Sequence, residues 1–207
     1  HELDAEIILS DIMGVTKEFL LANNQINISK NIIKKYNFAI KRRINREPVA
    51  YIIGKKEFWS EDFVVNHATL VPRPETELLI YKVIKVFKNK RINILDIGTG
   101  SGILAIAAIR LGASSAIGID TDSTALRVAR ANVMKNGLQG KIHIFRASLQ
   151  SPRLSDQIFN VILANISSQF LLENASALVN FLHAQGILIA SGFTTSEEPE
   201  VVTALSF

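Results

Sequence analysis

The stretch Ile94-Leu95-Asp96-Ile97-Gly98-Thr99-Gly100-Ser101-Gly102 runs an apolar strand into an acidic, glycine-spaced turn and on into a helix over 103–111. Glycines at alternate positions permit φ > 0 and let a ligand lie against bare backbone. The helix behind them offers unpaired N–H groups at its start. Dinucleotide sites space their glycines G-x-G-x-x-G, with the helix dipole facing a pyrophosphate. Here the spacing is G-x-G-x-G, and that argues against a nicotinamide oxidoreductase.

From residue 92 onward strand and helix alternate. Strands are expected at 92–96, 115–120, 141–146, 159–164 and 186–191, with helices near 103–111, 123–135 and 169–182. That order implies a parallel sheet with right-handed crossovers and helices on both faces. Ligands of such sheets bind outside the carboxyl ends of the strands. Asp96, Asp120, Ser148 and Asn165 all fall at or just after those ends, so one site could see all four.

The turn and the strand ending at Asp120, 24 positions after Asp96, together resemble the nucleoside-binding turn of S-adenosylmethionine (SAM) methyltransferases. A carboxylate at Asp120 can accept both ribose hydroxyls of an adenosine, or it can cap the helix from Ser123. Asp96 either holds the turn through backbone N–H groups or approaches the amino group of the cofactor's methionine part. Ser148-Leu149 occupies the place where such enzymes grip adenine, but with neither an acid nor an aromatic ring. Asn165 can orient an amide or amine nitrogen toward a sulfonium, or simply cap its strand. The four histidines show no metal-ligand spacing, no metal site is expected, and no G-x-S-x-G elbow appears.

Residues 3–46 read as helices, with Leu3, Ile7, Ile8, Ile12 and Phe19-Leu20 at helical spacing, then Ile32, Ile33, Tyr36, Ile40 and Ile44. Asn27-Ile28-Ser29 supplies the turn and N-cap between them, and Glu47-Pro48 closes the helical part. Glu57-Phe58-Trp59, Ser60-Glu61-Asp62 and Phe63-Val64-Val65-Asn66 then suggest a β-hairpin. A stiff Val71-Pro72-Arg73-Pro74 segment leads to a helix over 78–87. The net charge of +4 is concentrated in Lys30, Lys34, Lys35, Lys41, Arg42, Arg43 and Arg46, with Lys55 and Lys56 beyond. This is a solvated helical face, or an electrostatic landing surface for an acidic protein or for RNA in a ribonucleoprotein setting.

The chain has 207 residues, 48% of them hydrophobic, and no cysteine. That composition describes a folded protein without disulfide or thiolate chemistry, suited to a reducing cytoplasm. Neither a signal peptide nor a membrane-spanning run is found, so no membrane partner is expected. The chain opens at His1 in what reads as mid-helix and stops at Phe207 before a final strand pair. It therefore reads as a fragment whose C-terminal strands are missing, leaving an exposed sheet edge.

Three segments carry a family resemblance: Arg46-Glu47-Pro48-Val49-Ala50-Tyr51-Ile52-Ile53-Gly54, Glu57-Phe58-Trp59 and Leu70-Val71-Pro72-Arg73-Pro74-Glu75-Thr76-Glu77-Leu78-Leu79. They are similar to the HemK/PrmC release-factor glutamine methyltransferases. The resemblance implies a helical recognition domain at 1–47, a β-hairpin linker at 48–71 and a Rossmann-like class I SAM methyltransferase domain at 72–207. It implies SAM as cofactor, a peptide chain release factor as partner, proximity to the ribosome, and no direct nucleic-acid contact. Gly98, Thr99, Gly100, Ser101, Gly102 and Asp120 carry over as cofactor contacts, with Leu149 beside the adenine. The family's Asn-Pro-Pro-Tyr is replaced here by Asn165-Ile166-Ser167-Ser168, so Asn165 alone carries over as the catalytic residue and the four together as the substrate loop. Residues 101–192 are also similar to PrmA-type ribosomal-protein lysine methyltransferases, through Gly102-Ile103-Leu104, Leu111-Gly112-Ala113, Ala164-Asn165-Ile166 and Ser191-Gly192. Methylation of the Gly-Gly-Gln glutamine is the first expectation. A lysine or N-terminal amine acceptor, or SAM binding without catalysis, are the alternatives.

Overall fold

The computed structural model describes residues 2–23, 25–58, 61–67, 81 and 91–206. The proline segment 72–77, the expected helix at 78–87 and Trp59-Ser60 lie outside the described residues. Two compact units emerge: 1–56 with 65–67, and 57–64 with 68–207.

The first unit is helical. Helix α1 spans Glu2–Met13, α2 Lys17–Ala22 and α3 Lys30–Ile44. Ser29 caps α3 by accepting the Ile32 N–H, as its sequence position suggests. Helical structure does not stop at Pro48. A short α4, Val49–Ile53, follows it, inside the stretch read as hairpin linker. The physical reason is Arg42, whose guanidinium binds the Glu47 carboxylate and reaches the Tyr51 and Ile52 carbonyls near the end of that turn. Arg43 pairs with Asp4 at 2.7 Å and Lys55 with Asp11 at 2.7 Å. Three members of the basic run are therefore spent inside the unit, while Lys30, Lys34, Lys35, Lys41 and Arg46 stay exposed.

Strands β1 (Lys55–Phe58) and β2 (Glu61–Val64) form the expected two-stranded hairpin. In the second unit β3 (Asn93–Ile97), α5 (Ile103–Arg110), β4 (Ser115–Asp120), α6 (Ser123–Lys135), β5 (Ile142–Arg146), β6 (Phe159–Asn165), α7 (Ser168–Asn180), β7 (Leu182–Ser191) and α8 (Glu198–Leu205) alternate. The sheet is parallel throughout, in the order β5-β4-β3-β6-β7. Both faces are covered, so alternate residues of one strand enter different cores. Ile94, Val161 and Leu163 pack with α5, while Leu95, Ile97, Ile162 and Ala164 pack with Leu171, Leu178 and Val201.

Strand β7 starts four residues earlier than expected. After the Phe159–Leu182 pair the register jumps to Val161–Ile187, so 183–186 bulge out of the ladder. Polar His183 and Gln185 carry no strand signal, and the pairing of Leu182 and Ile187 with β6 on either side holds them within the span of β7. Helix α8 follows the last expected strand and has no counterpart among the expected elements.

Candidate functional site

The pairings align the carboxyl rim of the sheet. Asp120 is the last residue of β4 and pairs with Arg146; Asn165 is the last of β6 and pairs with Ser191. The ladders running through Ile97–Ile119 and Ile97–Ala164 put Gly98 between them. Two strand spacings, roughly 10 Å, separate Asp120 from Asn165 along this rim. Asp96 lies two residues before Gly98, on the α5 side. Ser148, two residues past β5, is exposed, and Leu149 is a buried member of the core cluster with Leu95 and Ile119.

Gly98, Gly100 and Gly102 all take positive φ, at +65°, +55° and +78°. At Gly98 space adds a second constraint, because a Cβ would stand 2.8 Å from Ile166 Cγ2. The turn is tied down by backbone bonds: Thr99 N–H donates to the Ile119 carbonyl at 2.9 Å and Gly102 N–H to the Thr99 carbonyl at 2.8 Å. Thr99 and Ser101 are themselves buried.

Asp120 accepts the Gly100 N–H at 3.0 Å on one oxygen and the Asp122 N–H at 2.9 Å on the other. It does not cap α6. That role belongs to Asp122, which accepts the Thr124 N–H. The Asp120 carboxylate therefore closes the glycine turn and keeps lone pairs for hydroxyl donors.

Asp96 is 1% exposed. Its Oδ2 accepts the Thr99 hydroxyl at 2.6 Å, while Oδ1 is buried without a hydrogen-bond partner among the described residues. Burial pushes its pKa up to about 7, against the Thr99 hydrogen bond and the nearby Ala105 amide, with the Asp120 charge adding to the rise. A buried carboxylate with one unsatisfied oxygen, facing a glycine turn, fits a ligand that brings a cationic donor.

Asn165 is half-buried, and its carboxamide has no hydrogen-bond partner among the described residues. It is not a strand cap. Its loop is fixed through its neighbours instead. Ile166 N–H donates to the Ser191 carbonyl at 2.9 Å, and Ser167 caps α7 by accepting the Phe170 N–H. Gly192, at φ +98°, lies so close that a Cβ would be 2.6 Å from the Ile166 carbonyl oxygen.

Two contributors were missed in the sequence. Asn132 is fully buried; its amide donates to the Ser101 and Val64 carbonyls at 2.9 Å and its oxygen accepts the Val64 N–H at 2.8 Å. It anchors the glycine turn to β2. The available signal was a polar residue on the apolar Ala125-Leu126-Val128-Ala129-Val133 face of α6. The second is Glu197, which accepts the Ser168 hydroxyl. No pattern in the sequence singles it out. Among the described residues no cluster of His, Asp or Glu could hold a metal, and no helix is long and apolar enough to cross a membrane.

Known proteins sort the two halves differently. The profile of the ribosomal protein L11 methyltransferase (PrmA) family matches residues 73–206, and that of the PrmC N-terminal domain matches 1–54. The release factor glutamine methyltransferase of Buchnera aphidicola subsp. Schizaphis graminum (strain Sg) is 45% identical over 138 residues, 66% of this chain and 50% of that protein. The chain spans about half the length of the curated relatives it matches. A solved ribosomal protein L11 methylase from Lactobacillus delbrueckii subsp. bulgaricus superposes with TM-score 0.57 and 33% identity, over 65% of this chain and 68% of that one. A SAM-dependent methyltransferase from Thiobacillus denitrificans, solved with S-adenosyl-L-homocysteine, superposes with TM-score 0.51 over 60% of this chain and 50% of that one. At 20% identity that likeness concerns the fold alone.

Proposed function

This chain belongs to the SAM-dependent methyltransferases, with a PrmA-type sheet domain behind a PrmC-type N-terminal domain, and on that footing we propose that it methylates the glutamine side-chain amide in the Gly-Gly-Gln motif of peptide chain release factors. The observation that carries this reading is the PrmC N-terminal domain at 1–54, together with 45% identity to a release factor glutamine methyltransferase. In this reading residues 1–47 recognise the release factor, 48–71 link, and 72–207 transfer the methyl group. The recognition unit offers a cleft of about 480 Å³ lined by Asp4, Ala5, Tyr36, Ile40, Arg43, Ile44 and Arg46, with Leu3 and Ile44 exposed at 57% and 73%. Exposed apolar side chains beside cations suit a protein surface with acidic character.

When bound, SAM supplies a methyl group already activated as a sulfonium, so the chain's contribution is positioning and exclusion of water. Asp120 would hold the ribose hydroxyls in bidentate fashion. Asp96 Oδ1 would meet the cationic amino group, and the unsatisfied oxygen described above is the reason it fits. The backbone of Gly98, Thr99, Gly100, Ser101 and Gly102 would line the cofactor, with Leu149 as an apolar wall beside the adenine. An amide nitrogen is a poor nucleophile because its lone pair is delocalised into the carbonyl. Asn165 would accept one of its hydrogens and turn the nitrogen toward the methyl group, with Ile166, Ser167 and Ser168 beside the acceptor.

A second acceptor class has its own support. The PrmA profile over 73–206 and the sequence Asn165-Ile166-Ser167-Ser168 both favour an amine of a ribosomal protein. Incubation with labelled SAM, a release factor and a ribosomal protein, followed by mass mapping, separates the two. Label on the glutamine is expected. Label on a lysine with none on that glutamine would replace this reading with the second, and an amine acceptor would also make the rate climb with pH.

A further inference from the structure

The loop that carries Asn165 lacks the backbone stiffness of Asn-Pro-Pro-Tyr, because Ile166 and Ser167 leave φ unrestrained where prolines would fix it. Yet both of its ends are held by the end of β7 and the segment that follows it. At the first end Ile166 N–H binds the Ser191 carbonyl, and Gly192 packs against the Ile166 backbone and the Asn165 side chain. At the second end stands Glu197. One of its oxygens accepts the hydroxyl of Ser168, the first residue of α7. The other accepts the Thr194 N–H and the Thr194 hydroxyl, each at 2.7 Å.

This carboxylate is not half of an ion pair. Residues 161–207 contain no lysine or arginine, and Glu197 meets no cation among the described residues. The Ser168 hydroxyl first, and then the Thr194 amide and hydroxyl, hold its pKa down to about 2, so it is ionised at neutral pH. Charge-assisted hydrogen bonds are shorter and stronger than neutral ones. A carboxylate at the first turn of α7 also complements the helix dipole.

We propose that Glu197 is a positioning residue for methyl transfer: through Ser168 it fixes the start of α7, and with it the direction of the Asn165 carboxamide. It does for this loop what two prolines do in Asn-Pro-Pro-Tyr. The inference rests on Asn165 holding the acceptor nitrogen, and so on the proposed transfer site. It does not depend on which protein is the acceptor.

The test uses the whole chain and the variants Glu197→Ala, Glu197→Gln, Ser168→Ala and the double Glu197→Ala/Ser168→Ala. For each, SAM affinity is measured by calorimetry, kcat and KM on the protein the wild type labels, and amide hydrogen exchange over 165–170. Glu197→Ala is expected to lower kcat about tenfold, leave SAM affinity within about twofold, and speed exchange at 166–170. Ser168→Ala should give a loss of similar size, and the double variant should be no worse than the worse single, since both remove one contact. Glu197→Gln should recover most of kcat because its carbonyl still accepts the Ser168 hydroxyl. A wild-type kcat in Glu197→Ala overturns the proposal. So does a wild-type Ser168→Ala beside a slow Glu197→Ala, which would confine Glu197 to its own turn with Thr194. Should Glu197→Ala fail to fold, Ser168→Ala and Glu197→Gln decide alone. If no release factor is labelled, the reading of the acceptor fails, while exchange over 166–170 still decides the clamp.

Discussion

The turn at 96–102 and the loop at 165–168 sit on the same rim of one sheet and are held in opposite ways. The turn is set largely from within: alternate glycines at positive φ, a Thr99 hydroxyl on Asp96, a Gly102 amide on the Thr99 carbonyl. Its outside anchors, Asp120 and Asn132, bind backbone groups of the turn that exist whatever the side chains are. The Asn165 loop has no such internal frame. Apart from the Ser167 cap on α7, its restraints come from Ser191, Gly192 and Glu197, on a strand end and turn 25 to 29 positions further along the chain. Site parts that bind a fixed ligand can afford a local, backbone-made cradle. In the proposed function the loop presents an acceptor, and holding it from outside lets substitution alter its direction without dismantling the glycine turn.

That contrast can be broken most forcefully at Asp120. Asp120→Ala removes two charge-assisted acceptors and the closure of the turn, so SAM affinity should fall about 100-fold or more; calorimetry giving wild-type affinity would refute its ribose role. Asn132→Ala should be next. It strands the buried Ser101 carbonyl and removes two part-buried bonds to the Val64 backbone, costing on the order of 2–3 kcal/mol in chemical denaturation; a loss confined to a few tenths would mean that water replaces it without penalty.

Gly192→Ala probes the other region. A Cβ there meets the Ile166 backbone at 2.6 Å in a backbone conformation already unfavourable to alanine. The expected result is a kcat lowered about tenfold with SAM affinity nearly unchanged. Equal losses in both would show the two regions to be one unit and dissolve the comparison.

The smallest effect concerns pH. The Asp96 carboxyl keeps its proton to about pH 7 when folded but only to its ordinary 3.8 when unfolded. The folded chain therefore binds the extra proton between those values. Asp96 costs no stability below about pH 4; the cost grows as pH rises from there and is complete a little above 7, where the curve levels off. Thermal melts of the ligand-free chain between pH 5 and 8 should decline, and Asp96→Asn should flatten that decline. A cationic amino group favours the ionised form, so SAM affinity should rise about fivefold from pH 6 to 8 in the wild type and stay level in Asp96→Asn. A wild-type affinity independent of pH would remove Asp96 from the cofactor's amino end.

Much of the scaffold was legible in the chain. The continuous apolar run Val161-Ile162-Leu163-Ala164, expected of a strand covered on both faces, and the 3.6-residue period of the Ala125–Val133 face mark β6 and α6 within a residue or so. Helix α4 was hidden because Pro48 reads as a stop, whereas here it precedes a turn whose carbonyls Arg42 satisfies from another helix. Residues 183–186 were hidden because a bulge has no period. Within the site, Asp120 was ambiguous between a ribose contact and a cap until Asp122 was found in the capping position.

What the sequence determined by itself is the glycine turn that the proposed cofactor site uses and the alternation of strands and helices. Both rest on local rules, in which glycine spacing sets backbone angles and apolar spacing sets the faces that are buried. What only the tertiary structure decided is how the acceptor loop is held. Ser191 lies beside Asn165, and Glu197 beside Ser168, only because β7 pairs with β6. Hydrogen bonds made across such a pairing leave no spacing in the chain for a reader to find.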